Sequence, residues 1–170
     1  MGAARNIFAA AKAIQADALA ELGPPEEGLL AASQQVIPSS VVRKTRPYIE
    51  KIVNQINGTY DRGWYDASAV MIRRLIETLI IETFEFHNIS ANIKNSAGDF
   101  LYLRDLIGLM LNETVWNLSR NCKKALPKLK DIGDKSAHSR RFLAHRGDID
   151  PLRDDIRLVV QELVFLANLK

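Results

Sequence analysis

The residues best suited to chemistry lie in one segment, 131–150, which holds two of the three histidines and a group of arginines. Arginine is a planar phosphate ligand that keeps its charge, and histidine exchanges a proton near neutral pH. Together they suit binding of a phosphodiester and proton transfer to or from it. The candidates for such a site are Asp134, His138, Arg140, Arg141, His145 and Arg146.

The same segment does not suggest a metal site. His138 and His145 are seven residues apart, which on one helix is a rise of about 10 Å, too far for one metal ion. Cys122 is the only cysteine, which excludes an internal disulfide framework and a multi-cysteine zinc site. The chain also lacks a glycine-rich phosphate loop and a paired-histidine zinc helix. We therefore expect no metal and no cofactor.

Positive charge is concentrated around the candidate residues. Residues 117–147 hold nine Lys and Arg against two Asp, a local net charge of +7, whereas the whole chain carries +3. This zone predicts a surface for a polyanion such as RNA or a nucleotide. The alternative is a solvated, lysine-rich helix face. The lysines expected to contact nucleic acid are Lys123, Lys124, Lys128, Lys130 and Lys135.

The composition is that of a soluble globular protein. The chain has 170 residues, of which 47% are hydrophobic and 25% charged. No apolar run approaches the roughly 20 residues that span a bilayer. Lys12, Gln15 and Asp17 interrupt the alanine-rich N-terminus, which therefore lacks the apolar centre of a signal peptide. With a single cysteine, these features predict a cytoplasmic protein without a membrane contact.

Apolar residues recur every three to four positions, and no alternating β pattern is present. The predicted fold is an all-α, antiparallel bundle of four to five main helices. Residues 1–44 are predicted to form an N-terminal helix and a connector, and residues 45–170 the main domain. The first helix is expected to pack either on the main domain or on a second subunit. Helices are predicted over 3–21, from Pro47, over Trp64–His87, after an Asp99 cap, from about Glu113, and from Asp150-Pro151.

Several local expectations accompany these helices. Asn57-Gly58 is unfavourable in a helix and predicts fraying or an end there. Pro127 should kink or divide its helix. Arg73 and Glu77 are spaced to form an ion pair. Leu118, Cys122, Ala125, Leu129 and Ile132 are predicted to form a buried seam. On this seam Cys122 is expected to be a core residue and not a nucleophile.

The order of these features resembles the HEPN superfamily, all-α domains common in prokaryotic defence and toxin systems. It is most similar to a bacterial HEPN-like branch of unknown function. The similar residues are Gly63-Trp64-Tyr65-Asp66-Ala67, Arg73-Arg74-Leu75-Ile76-Glu77, Leu129 to His138, and the final helix from Asp150 to Leu169. The resemblance covers residues 45–169 and implies a helical bundle that commonly works as a homodimer.

Active HEPN proteins are metal-independent ribonucleases with an arginine, usually a polar residue, and then a histidine three to five residues later. This chain departs from that pattern. If His138 is the family histidine, Asp134 takes the polar position and Gly133 stands where arginine belongs. Arg140 and His145 have the permitted spacing, in a predicted loop before the last helix. The interpretation favoured for His138 is structural: its ring holds a helix end against the bundle. The same structural role is the alternative for His145.

Three functions follow from these observations. The first is a non-catalytic HEPN-like module that binds nucleic acid or a nucleotide in a defence or toxin–antitoxin system. The second is a metal-independent ribonuclease that uses Arg140 and His145. The third is a structural dimerisation domain, either as a homodimer or with a partner protein, whose basic residues are solvated surface.

Overall fold

The computed structural model describes residues 6–14 and 35–170, and every regular element within them is helical. Two short 3-10 turns, Ser90–Ile93 and Asp150–Leu152, complete the described elements. The all-α prediction is confirmed. The helices are α1 (described over residues 6–14), α2 (Ser39–Val42), α3 (Pro47–Asp61), α4 (Tyr65–Phe86), α5 (Leu103–Asn112), α6 (Arg120–His138), α7 (Arg146–Ile149) and α8 (Arg153–Leu166).

The four long helices α3, α4, α6 and α8 form an antiparallel bundle. The Ser68 hydroxyl in the first turn of α4 donates to the Ile56 carbonyl late in α3, at 3.3 Å. Near the other end of the pair, the Tyr48 hydroxyl donates to Glu82. α6 and α8 also run in opposite directions, because Ser119 bonds to Glu162 while Lys128 pairs with Asp155. This confirms the predicted antiparallel arrangement.

Helix α4 lies at the centre of the bundle and packs against α3, α5, α6 and α8. Its sequence is apolar on most sides, as expected for a helix surrounded by others. Most of its apolar residues are fully buried, among them Leu75, Ile76, Leu79 and Ile80. Arg73 and Glu77 are polar exceptions, and they form the predicted i,i+4 ion pair at 3.4 Å.

The packed domain includes residues on the N-terminal side of the predicted boundary at 45. Val36, Ile37, Val41 and Val42 are buried in the common core. The Arg157 guanidinium of α8 donates to the Val36 carbonyl at 3.2 Å. The predicted helix over 3–21 is helical at residues 6–14, where every residue is exposed. Its remainder, and the connector up to residue 34, lie outside the described residues.

The expectation that α3 would fray at Asn57-Gly58 is wrong. The helix continues to Asp61 because Asn57 is buried and makes two hydrogen bonds to one peptide segment. Its side chain accepts from the Ile37 N–H at 3.1 Å and donates to the Ile37 carbonyl at 2.8 Å. These bonds satisfy buried polar groups that would otherwise be unpaired, which outweighs the low helix propensity of asparagine and glycine.

Three predicted helix starts need correction. Asp99 does not cap α5, whose N-cap is Tyr102; the Asp99 N–H instead donates to the Asn95 side chain at 2.9 Å. α6 begins at Arg120 and not near Glu113, since the Ser119 hydroxyl accepts from the Cys122 N–H and caps it. Asp150 does not cap the last helix, because other side chains bind its carboxylate.

The predicted seam of α6 is confirmed. All five of its residues are buried, and α6 runs to His138 without dividing at Pro127. Burial of Leu126 and Leu129 on either side of the proline holds the helix together despite the missing hydrogen bond. Across residues 6–14 and 35–170, no helix combines the length and the hydropathy needed to cross a membrane.

Candidate nucleic-acid interface

The candidate residues lie at the end of the bundle where α3 finishes and α4 starts. The loop 139–145 follows the end of α6, and its last residues are bound to the first turn of α4. The fastening is a hydrogen bond at 3.0 Å from the Ala144 N–H to the Asp66 carboxylate. Ala144 is buried, whereas Arg140, Arg141 and His145 are exposed. The loop therefore carries its charged side chains outward on a backbone anchored to the central helix.

His138 is the last residue of α6 and is exposed. Its ring makes no hydrogen bond within the described chain, so the interpretation of His138 as a pin between helix and bundle is wrong. Arg140 and Arg141 follow after Ser139, and their guanidinium groups likewise form no ion pair among the described residues. These three side chains are available to an external ligand.

His145 is exposed and stands at the N-cap of α7. It forms a capping box with Asp148, in which the His145 N–H donates to the Asp148 carboxylate at 2.9 Å. The residue thus has a local structural role at the start of α7. That role places a carboxylate beside its backbone.

The Arg146 guanidinium belongs to a polar cluster with Asp150 and Tyr60. Its Nε lies 3.0 Å from the Asp150 carboxylate and 3.2 Å from the Tyr60 hydroxyl. Tyr60 donates to the same carboxylate, and Arg153 pairs with it at 3.0 Å. The Arg153 guanidinium also stacks over the Tyr60 ring, 4.6 Å from the ring centre. The four side chains connect α3, α7 and α8.

This cluster explains why Asp150 is not a helix cap. Burial of Tyr60 raises the pKa of its hydroxyl, and the bond to Asp150 raises it further. The tyrosine therefore stays protonated and acts as a donor. Sequence reasoning missed Tyr60 and Arg153, although an aromatic residue at the end of one predicted helix and an arginine at the start of another were visible signals.

Asp134 is held in a second charged cluster between α4 and α6. The Arg73 Nε lies 2.7 Å from one carboxylate oxygen, and the Lys130 Nζ lies 2.6 Å from the other. Partial burial alone would raise the pKa of Asp134, but the bonds from Lys130 and Arg73 outweigh it and lower that pKa below the ordinary value. Asp134 is therefore an ionised structural partner and not an acid that donates protons near pH 7.

Gly133 has a packing role at the same crossing. A Cβ at this position would lie 2.5 Å from the Arg73 Cβ and 3.1 Å from the Ala69 carbonyl oxygen. No larger residue fits there without moving α6 away from α4. The absence of arginine at 133 thus follows from close helix packing, and the arginine beside Asp134 comes from α4.

The lysines of the basic zone divide into free and engaged side chains. Lys123, Lys124 and Lys135 are exposed. Lys128 pairs with Asp155 at 3.2 Å, and Lys130 is mostly covered in its pair with Asp134. Lys130, one of the lysines expected to contact nucleic acid, is thus held by an acid four residues along the same helix face.

The described residues contain no group of three or more His, Cys, Asp or Glu side chains arranged to hold a metal ion. Cys122 is fully buried, which raises the pKa of its thiol to about 12, with Glu162 adding to the effect. Such a thiol is neither a nucleophile nor a metal ligand at neutral pH. Comparison with known proteins found no matching family model, no matching curated protein and no matching solved structure.

Proposed function

We propose that this chain is a HEPN-like, non-catalytic module that binds RNA through the exposed cations of loop 139–145. The observation that carries the proposal is the exposure of Arg140 and Arg141 on a loop anchored to α4 by Asp66. Lys135 adds a third exposed cation one turn before the end of α6. Clustered cations that form no ion pair among the described residues favour phosphate binding, since none of these pairs has to be broken first.

The non-catalytic assignment rests on the state of the polar residues. The negative charge of Asp134 is balanced by ion pairs with Arg73 and Lys130. At the position where the family has its arginine, this chain has Gly133. His138 lacks a hydrogen-bonded carboxylate or carbonyl that would fix its tautomer. Phosphate binding without turnover requires none of these groups.

A ribonuclease that uses Arg140 and His145 is the alternative. It is supported by the exposure of both side chains on the same loop. It predicts that RNA is cleaved in EDTA and that His145→Asn, which retains N-capping ability, abolishes cleavage while the protein stays folded. RNA that remains intact with the parent protein would eliminate this alternative. Assembly of the module as a homodimer or with a partner protein is also a proposal, and light scattering tests it.

The binding proposal is tested by fluorescence anisotropy with labelled single-stranded RNA at a series of salt concentrations. Each phosphate contact contributes about 0.7 to the slope of log affinity against log salt for a single strand. The double variant Arg140→Ala/Arg141→Ala should therefore lose about 1.4 units of slope, two such contacts, and bind more weakly.

A matched control removes the same charge elsewhere. Lys94 and Arg104 are exposed and follow the C-terminal end of α4, away from Asp66 in its first turn. Lys94→Ala/Arg104→Ala should leave the salt slope almost unchanged. Equal losses in the two double variants, or no binding by the parent protein, would contradict the proposal.

A further inference from the structure

An open groove of about 320 Å³ runs along the outer side of α3 at the same end of the bundle. Trp64 forms one wall, and the helix residues facing it include Lys51, Asn54, Gly58 and Arg62. None of the described lining residues is acidic. The groove thus combines an aromatic face, the amide side chains of Asn54 and Gln55, and two cations.

Trp64 presents its indole from a fixed backbone. The backbone N–H of Trp64 donates to the Thr59 carbonyl at 2.9 Å, and its backbone carbonyl accepts from the Ser68 N–H at 3.0 Å. The residue is nevertheless 47% exposed, whereas the only other tryptophan, Trp116, is buried and packs edge-on against Phe84. A large exposed aromatic surface on an anchored backbone is common at binding sites.

Gly58 forms part of this groove and has no packing reason to be glycine. A Cβ there would meet only the Arg62 Nη1, at an ordinary contact distance of 3.8 Å. Glycine inside a helix costs about 1 kcal/mol relative to alanine. Gly133, by contrast, is required by contacts below 3.2 Å on the facing helix. The missing side chain at 58 therefore keeps the groove open, at a cost to helix stability.

The groove and the loop that carries the exposed arginines are both attached to the start of α4. Trp64 is two residues before Asp66, whose carboxylate holds the Ala144 N–H at 3.0 Å. Arg141 is three residues before Ala144, so its backbone lies within about 11 Å of that anchor by the length of an extended chain. A single RNA strand bound to the loop arginines is then within reach of the indole.

We infer that Trp64 stacks on one unpaired base of a single-stranded RNA, with Gly58 leaving room for the base and Lys51 and Arg62 binding the flanking phosphates. This inference rests on the proposed function and makes the ligand more specific. Bases in a duplex are already stacked and hidden, so only a single strand offers a free face to the indole. Cations without acids in the groove complement the phosphates on either side of that base.

The test compares single-stranded RNA with a duplex of the same sequence, using parent protein and variants. The parent should bind the single strand more tightly than the duplex at equal salt. Trp64→Leu should weaken single-strand binding roughly 5- to 150-fold, the range for one base–aromatic stack, and leave the salt slope unchanged. Trp64→Phe, which keeps an aromatic face, should retain most of the affinity. Tyr102→Leu changes an 82% exposed aromatic residue elsewhere and should have no effect.

Gly58→Ala gives a second readout that a structural role would not produce. The variant should raise the melting temperature, because alanine is the better helix former, and yet weaken single-strand binding. Binding as tight as the parent's in both Trp64→Leu and Gly58→Ala, with Arg140→Ala/Arg141→Ala still weakened, would overturn the inference and leave the proposed function standing. Absence of RNA binding by the parent protein would overturn both.

Discussion

Gly133 of α6 lies directly against Arg73 of α4, so that a Cβ on the glycine would be 2.5 Å from the Cβ of the arginine. The contact brings the two helices close enough for the Arg73 guanidinium to reach Asp134, the next residue of α6, at 2.7 Å. Gly133 stands where the resemblance predicts a phosphate-binding arginine. Its lack of a side chain is what allows Arg73 and Asp134 to pair.

Gly133→Ala should destabilise the protein by about 1–3 kcal/mol, the usual cost of overpacking a close contact. Denaturant unfolding measures the change. Gly108→Ala in α5 is the matched control, since nothing lies within 4 Å of its added Cβ. The control should be neutral or slightly stabilising, because alanine favours the helix. Similar unfolding midpoints for the two variants would mean that the α4–α6 contact is looser than described.

Asp134→Asn should destabilise the fold at neutral pH by about 1–2 kcal/mol, a discounted value because the carboxylate and Arg73 are both partly exposed. The folded-state pKa of Asp134 is lowered, so its contribution is present above the unfolded pKa of about 4 and is lost as pH falls through the folded pKa. Unfolding at pH 7 and near pH 2 tests this. A difference between parent and variant that does not shrink in acid would contradict the assignment.

Asn57→Ala should cost about 2–4 kcal/mol, because it leaves the buried N–H and carbonyl of Ile37 without partners. The segment 35–42 should also become accessible to proteases, since Asn57 helps to hold it on the bundle. Asn54→Ala, at an exposed position of the same helix, is the control and should unfold like the parent. Limited proteolysis with mass spectrometry locates the cuts. Protection of 35–42 in the variant would show that other contacts suffice.

Cys122 should not react with a thiol reagent such as Ellman's reagent in the native protein at pH 8. The thiol is fully buried and its pKa is raised to about 12, so very little thiolate is present. One equivalent should react promptly after denaturation. Rapid labelling of the folded protein would place Cys122 on an accessible surface and contradict its assignment as a core residue.

The predicted residues 138–146 have proved to differ in availability, which decides what this end of the bundle can bind. Arg140 and Arg141 have no ion-pair partner within residues 6–14 and 35–170, Arg146 is engaged by Asp150 and Tyr60, and His145 caps α7. In the sequence all four appear as equivalent candidates in one short segment. Their partners are up to 86 residues away in the chain, so local spacing contains no information about them.

The sequence by itself determined the helical class, the central position of α4 and the buried seam of α6, since these follow from a local repeat of apolar residues every three to four positions. It also located the basic zone, because charge is a property of composition. Tertiary structure alone decided which cations remain free, why Gly133 is glycine, and that Trp64 borders a groove with Gly58. Those outcomes depend on distances between helices that are remote in sequence, and a pattern read along one chain segment does not encode them.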